Sequence, residues 1–125
     1  MNTKLLLTGL LIITISALAF GQDEVLNKFA ADMQSGNTQD LLSFLNDQVE
    51  ISIDGQSNSL SKGESVNLIK GFLSKHPVSA FQYKHKGSSG NTGYAIASMV
   101  SNGQNYRIMI RMKDNTIEKI EFKPE

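Results

Sequence analysis

The sequence has no cysteine, no tryptophan and only two prolines among its 125 residues. Without cysteine the chain can form no disulfide, and thiol catalysis and thiolate metal sites are excluded. An excess of charge is also missing, because 12 basic residues balance 12 acidic ones. A neutral chain has no overall field to attract nucleic acid or an anionic membrane surface. Packing must therefore supply the stability of the fold, and we predict no nucleic-acid partner.

The longest apolar run stands at the N-terminus and has the layout of a secretory signal peptide. Lys4 supplies a positive charge, residues 5–20 are almost wholly apolar, and Ala19 and Gly21 place small residues before a cut. The alternative is a retained membrane anchor, but about 16 apolar residues are few for a spanning helix, which needs roughly 20. We therefore predict a cleaved signal peptide over residues 1–21. The product would be exported, periplasmic or extracellular, and free of the membrane.

The remaining chain, residues 22–125, has the length of a single domain with one hydrophobic core. It shows no internal repeat, no interdomain linker and no low-complexity segment. Three stretches have the hydrophobic spacing of helices. The first covers residues 23–35, the short second follows Asn37 or Thr38, and the third starts at a Ser61 capping box and ends before Pro77.

Six further stretches read as strands because apolar and polar residues alternate in them. Pairs of turn residues separate most of them, and residues 87–91 read as a flexible loop. The larger apolar residues mark the inner faces, which places Ile96 inside and Ala95, Ala97 and Met99 outside. The predicted strands cover residues 49–53, 56–60, 78–86, 92–100, 106–112 and 116–122. The predicted core is Leu26, Phe29, Met33, Leu41, Phe44, Leu45, Ile51, Ile69, Phe72, Phe81, Ile96, Ile108, Ile110, Ile120 and Phe122.

The resulting element order is α-α-β-β-α-β-β-β-β. It predicts an α+β fold, because no βαβ alternation exists to build a parallel sheet. We expect a strongly curved antiparallel sheet whose concave face holds the helices. This order, with the strand over residues 49–53 and the final meander ending at 116–122, resembles the nuclear transport factor 2-like superfamily of α+β cones. The chain looks most like its small exported bacterial members of unknown function.

The resemblance implies where catalytic side chains would lie. Enzymes of that superfamily commonly use an Asp, His or Tyr inside the cone. His85 is the candidate general base because it shares a strand face with Tyr83, and Tyr83, Tyr94 and Tyr106 are candidate proton donors. The alternative is a histidine near solvent and tyrosines whose hydroxyls lie at the rim. No acidic residue falls on the same inner face to orient a base.

The outer sheet face is the candidate partner surface. Ala95, Ala97, Met99 and Met109 would form an apolar patch there, and a two-fold contact through it predicts a homodimer. The alternative is ordinary exposed surface. Arg107 and Arg111 would lie at the rim of this patch, and with Lys84 and Lys86 they could make a basic strip or simply a solvated face.

Motifs for a bound metal or cofactor are missing. The two histidines, His76 and His85, are nine positions apart with no acidic cluster beside them, and residues 87–91 lack the patterns of a phosphate-binding loop. We predict neither a metal nor a cofactor. The sequence then leaves two hypotheses: an exported, non-catalytic module that binds a small apolar ligand or a protein, or a cofactor-free isomerase, dehydratase or hydrolase. A filled cone favours the first, and a hollow cone favours the second.

Overall fold

The computed structural model describes residues 21–125. The predicted signal peptide lies outside them except for Gly21, which precedes the first helix. The elements are helix α1 (Gln22–Ser35), a 3-10 helix (Gln39–Ser43), strand β1 (Leu45–Ile53), strand β2 (Gln56–Ser61), helix α2 (Lys62–Lys75), and strands β3 (Ala80–Ser89), β4 (Thr92–Ser101), β5 (Gln104–Lys113) and β6 (Thr116–Pro124).

The six strands form one curved, open sheet in the order β2-β1-β6-β5-β4-β3. The α+β class and the element order are confirmed, with the short second helix formed as a 3-10 helix. One pairing differs from the expected antiparallel sheet: β1 and β6 run parallel, with Ile51 opposite Ile120. No turn connects these two strands directly. Their relative direction therefore has no local signal in the sequence.

The helices form where capping and apolar spacing favour them. Ser61 accepts a hydrogen bond from the Glu64 backbone amide, and the Glu64 carboxylate accepts one from the Ser61 amide, so the predicted capping box is present. Gly36 ends α1 with φ +75°, a conformation that favours glycine. Both helices bury one apolar face against the sheet; the buried apolar residues are Val25, Leu26, Phe29, Met33, Val66, Ile69, Phe72 and Leu73.

The turns between strands are tight. Asp54-Gly55, Asn102-Gly103 and Asp114-Asn115 all have positive φ at both positions, as expected for hairpins. The flexible loop expected over residues 87–91 is shorter than predicted. Strand β3 continues to Ser89 and β4 begins at Thr92, so two residues suffice to reverse the chain. The sheet therefore extends further at this end than the alternation of side chains indicated.

A single hydrophobic core fills the space between the helices and the sheet. Every predicted core residue is buried except Phe81 and Ile96, which are only partly buried. Phe29, Leu41, Ile69 and other large side chains of this core have no exposed surface. Packing of this kind is the main source of stability available to a chain without disulfides.

Strand β4 faces the opposite way from the prediction. Ala95, Ala97 and Met99 are buried in the core, whereas Ile96 lies on the outer face opposite Met109. Cross-strand partners share a face, and β4 pairs Ala97 with Ile108, which is buried in the core. Residue size was therefore a misleading guide to the buried face.

Candidate functional site

His85 does not lie inside the cone. A β-bulge between Tyr83 and His85 inserts an extra residue opposite Ile96, which turns His85 to the exposed outer face of the sheet. Strict alternation from Phe81 predicted the opposite face. The prediction that His85 is an inward-facing base is therefore wrong in its placement, and the bulge is the physical cause.

The three candidate tyrosines lie in three different environments. The Tyr83 hydroxyl donates to the Leu26 carbonyl at 2.5 Å, and burial raises the pKa of this phenol well above its usual range. Tyr83 thus anchors α1 and cannot readily release a proton. Tyr94 is 49% exposed, and its ring lies across Gly87 on the neighbouring strand. Only Tyr106 is nearly buried with its hydroxyl facing another titratable group.

That group is His76, which the sequence analysis weighed only as a metal ligand and not as a catalytic residue. The Tyr106 hydroxyl lies 3.1 Å from His76 Nδ1. The imidazole stacks on Phe72, with ring centroids 4.5 Å apart, and Phe72 in turn lies 4.5 Å from the Phe122 ring. When Tyr106 donates this hydrogen bond, a neutral His76 carries its proton on Nε2. The spacing of four between Phe72 and His76 was the available signal, because it places both on one side of α2.

An open groove lies beside this aromatic cluster. It has a volume of about 380 Å³ and runs between α2 and the end of β1. Most of its lining is apolar, and a smaller recess of about 220 Å³ adjoins it, sharing Ile53, Phe72 and His76. The groove is lined by Ile53, Asn67, Leu68, Gly71, Phe72, Lys75 and His76.

Gly71 opens the middle of this groove. Nothing lies within 4 Å of the position that a Cβ atom at Gly71 would occupy. The missing side chain therefore leaves a gap on the helix surface rather than a contact. A glycine costs a helix about 1 kcal/mol relative to alanine. The gap is part of the groove and accessible to a ligand.

The positive and negative groups of the site lie in different places. Lys75 lines the groove, whereas Asp54 lines only the adjoining recess, together with Tyr106 and Phe122. Within residues 21–125, the Lys75 ammonium forms no ion pair. The site can therefore bury apolar surface and offer a cation, an imidazole and a phenol at one end.

Asp32 is a buried carboxylate outside the groove and the recess. It is 5% exposed, and its Oδ2 has no hydrogen-bond partner within residues 21–125. Burial, and secondarily the charge of Asp40, raises the pKa of Asp32 to about 6, while Lys28 opposes the shift. Asp32 lines neither the groove nor the recess. We therefore assign it no part in the site.

The predicted partner surface is only partly present on the outer face. Ala95, Ala97 and Met99 are buried, as described above, which removes them from any patch. Met109 does face outward, beside Ile96, and a homodimer through this face would now depend on those two residues. The basic strip is also divided, because two of its members form ion pairs. Arg111 pairs with Glu118 at 2.9 Å, and Lys86 pairs with Asp23 of α1 at 3.8 Å. Arg107 remains outside, with Lys84 and His85, around an open depression of about 460 Å³ that has a more polar lining than the groove.

No cluster of three or more metal-ligating side chains occurs in residues 21–125. The helices described for this range are too short or too polar to cross a membrane. The arrangement that stands out is therefore the apolar groove with its polar end. Comparison with other proteins adds the family. A model of a domain of unknown function, DUF4783, matches residues 26–123.

The chain belongs to the DUF4783 family. Solved structures of two DUF4783 proteins are similar to it. The one from Bacteroides uniformis has a TM-score of 0.73 at 23% identity, covering 78% of this chain and 94% of that one. The one from Bacteroides fragilis has a TM-score of 0.71 at 22% identity, covering 78% and 95%.

This DUF4783 chain also shares its fold with nuclear transport factor 2-like proteins. One of unknown function from Cytophaga hutchinsonii has a TM-score of 0.61 at 13% identity, covering 85% of this chain and 91% of that one. The predicted superfamily resemblance is therefore confirmed. None of the curated proteins compared with the chain matches it. At such identities the likeness concerns the fold, so the function must be argued from the groove.

Proposed function

We propose that this DUF4783 chain is an exported, non-catalytic module that binds a small apolar ligand in the groove beside α2. The observation that carries the proposal is the groove itself: about 380 Å³, walled by Ile53, Leu68 and Phe72, and open at Gly71. Its volume falls in the range of small-molecule sites, roughly 300–1,000 Å³. Burying the apolar surface of a ligand against such walls is favourable by about 25 cal/mol per Å².

The packing of the cone supports binding over catalysis. Phe29, Leu41 and Ile110 have no exposed surface and occupy the interior, where the related enzymes hold their reactive groups. The histidine expected there, His85, lies on the outer face. A ligand would therefore sit outside the filled core, against α2 and the end of β1. Export is supported by the N-terminal pattern of residues 1–21.

Gly71 gives a direct test of the groove. Gly71→Leu would place a side chain in the gap, where nothing lies within 4 Å of the added Cβ position. Gly63→Leu is the matched control: it lies in the same helix, also has an open Cβ position and does not line the groove. The probe is the neutral fluorophore N-phenylnaphthylamine, whose emission rises in apolar surroundings.

We expect wild type and Gly63→Leu to bind the fluorophore with equal affinity. Gly71→Leu should lose binding by about tenfold or more, the equivalent of 1.4 kcal/mol. Circular dichroism would confirm that both variants are folded. Equal binding by all three proteins would place the probe elsewhere and overturn the proposal, as would no binding by wild type.

The pair formed by His76 and Tyr106 favours a second candidate, a cofactor-free hydrolase, because a phenol at 3.1 Å orients the imidazole beside a recess that also holds Asp54. The test is hydrolysis of 4-nitrophenyl butyrate by wild type and by His76→Gln. We expect equal, background rates. A wild-type rate at least a hundredfold above that of the variant would favour the enzyme.

A further inference from the structure

The groove is apolar along most of its length and cationic at one end. Lys75 is the charged residue of its lining, and His76 lies next to it. We propose that the ligand is an amphipathic carboxylate, with its alkyl chain along α2 and its carboxylate at Lys75. This inference rests on the proposed ligand-binding function and specifies the chemical class of the ligand.

Two rows of side chains on α2 define the path of the alkyl chain. Asn67, Gly71 and Lys75 are spaced by four residues, so they form one row, and Leu68, Phe72 and His76 form the adjacent row. From Asn67 to Lys75 the helix rises about 12 Å. The first row has a gap at Gly71, along which an alkyl chain can lie.

The sign of the charge decides between a carboxylate and an amine. An amine would need an acidic partner, but Asp54 lines only the recess on the far side of His76 and Phe72. The Lys75 ammonium, by contrast, has no carboxylate partner in the described part of the chain. An anionic head group would supply one.

The C-terminal end of α2 opposes an anion, because helix carbonyls carry partial negative charge there. Three of these carbonyls already accept hydrogen bonds. The His76 backbone amide donates to the Phe72 carbonyl at 2.9 Å, and the Ser74 hydroxyl donates to the Gly71 carbonyl at 3.1 Å. The Asn102 side-chain amide donates to the Lys75 carbonyl at 3.4 Å. These donors reduce the repulsion that a carboxylate at Lys75 would meet.

The test compares three probes with equal alkyl chains: decanoate, decanol and decyltrimethylammonium, each below its micelle-forming concentration. Calorimetric titration of wild type should give the tightest binding for decanoate and the weakest for the ammonium. Lys75→Gln should weaken decanoate binding by about two- to fivefold, as for a solvent-exposed ion pair, and leave decanol unchanged. Lys70→Gln, an exposed lysine of α2 outside the groove, is the control and should change nothing.

The outcomes separate this inference from the function on which it rests. Equal affinities for decanoate and decanol, or no effect of Lys75→Gln, would overturn the carboxylate while leaving the apolar groove in place. Failure of every probe to bind, or binding that Gly71→Leu does not weaken, would overturn the proposed function itself. Loss of decanoate discrimination in high salt would support the charge contact.

Discussion

Asp32 shows what a single buried carboxylate does to the stability of a small domain. Its folded-state pKa is raised from 3.8 to about 6, so the folded protein holds the proton more tightly than the unfolded chain. Between those values the folded state binds more protons, and the free energy of unfolding therefore falls as the pH rises. The stabilisation is fully present below about pH 4 and is lost above about pH 6.

We predict that Asp32→Asn abolishes this slope. The amide keeps the shape of the side chain but carries no charge, so the variant should be more stable than wild type at neutral pH by roughly 1–3 kcal/mol. Urea unfolding at several pH values between about 4 and 7.5 measures it. Asp40→Asn, which removes only the neighbouring charge, should have a smaller effect. A variant with the wild-type slope would contradict this role of Asp32.

Phe72 connects the core to the groove, since its ring contacts those of His76, Tyr106 and Phe122. Phe72→Ala should lower the free energy of unfolding by about 3–5 kcal/mol, because transfer and cavity costs add. The urea midpoint measures this change. Leu42→Ala, at a side chain 37% exposed, is the control and should cost well under half as much. An unchanged midpoint for Phe72→Ala would show that α2 does not pack on the sheet.

At the level of elements, the capping box of α2 is the clearest local feature. Removing the Ser61 hydroxyl by Ser61→Ala should cost about 1 kcal/mol, because the Glu64 amide loses its acceptor. Ser74→Ala, at the other end of the same helix, should cost less. Thermal unfolding of the two variants tests the comparison. Equal losses would mean that the cap contributes nothing beyond an ordinary surface hydroxyl.

Caps and turns were predictable from the sequence because each depends on residues close together in the chain. Ser61 and Glu64 form a cap by bonding each other, and Asn102 and Gly103 form a turn through their own backbone conformations. The face of β4 was also within reach of the sequence, because the two-residue turn at Asn102-Gly103 pairs Met99 with the inward-facing Tyr106, but residue size pointed the other way. The bulge at His85 was hidden, since one extra residue in a strand leaves no mark on composition.

The candidate site was predictable only in part. Tyr106 was expected at an inward-facing position and is buried there, and a histidine that was not a candidate lies beside it. The histidine is His76 rather than His85, because the end of α2 meets β5 only in the folded sheet. The groove likewise joins Ile53 of β1 to Gly71 of α2, and no spacing in the sequence brings them together.

At the scale of the whole molecule, the first helix begins directly after the predicted cleavage site. Helix α1 starts at Gln22, so cleavage after Gly21 would remove only its N-cap residue, whose carbonyl accepts a hydrogen bond from the Val25 backbone amide at 3.2 Å. We predict that the exported protein has the mass of residues 22–125, lowered by one ammonia if Gln22 cyclises. Mass spectrometry of the intact secreted protein measures this. A mass that includes residues 1–21 would contradict both the cleavage and the compartment.

The parallel pair of β1 and β6 has a consequence for how the protein is made. Ile51 cannot meet Ile120 until nearly the whole chain has been synthesised, so the sheet stays unfinished until its last strand arrives. Contacts between such distant residues slow folding, because the long intervening loop must close first. A chain that folds late remains unfolded, and able to pass through a pore, for longer. Under the proposed export, that delay would leave the chain unfolded for its passage across the membrane.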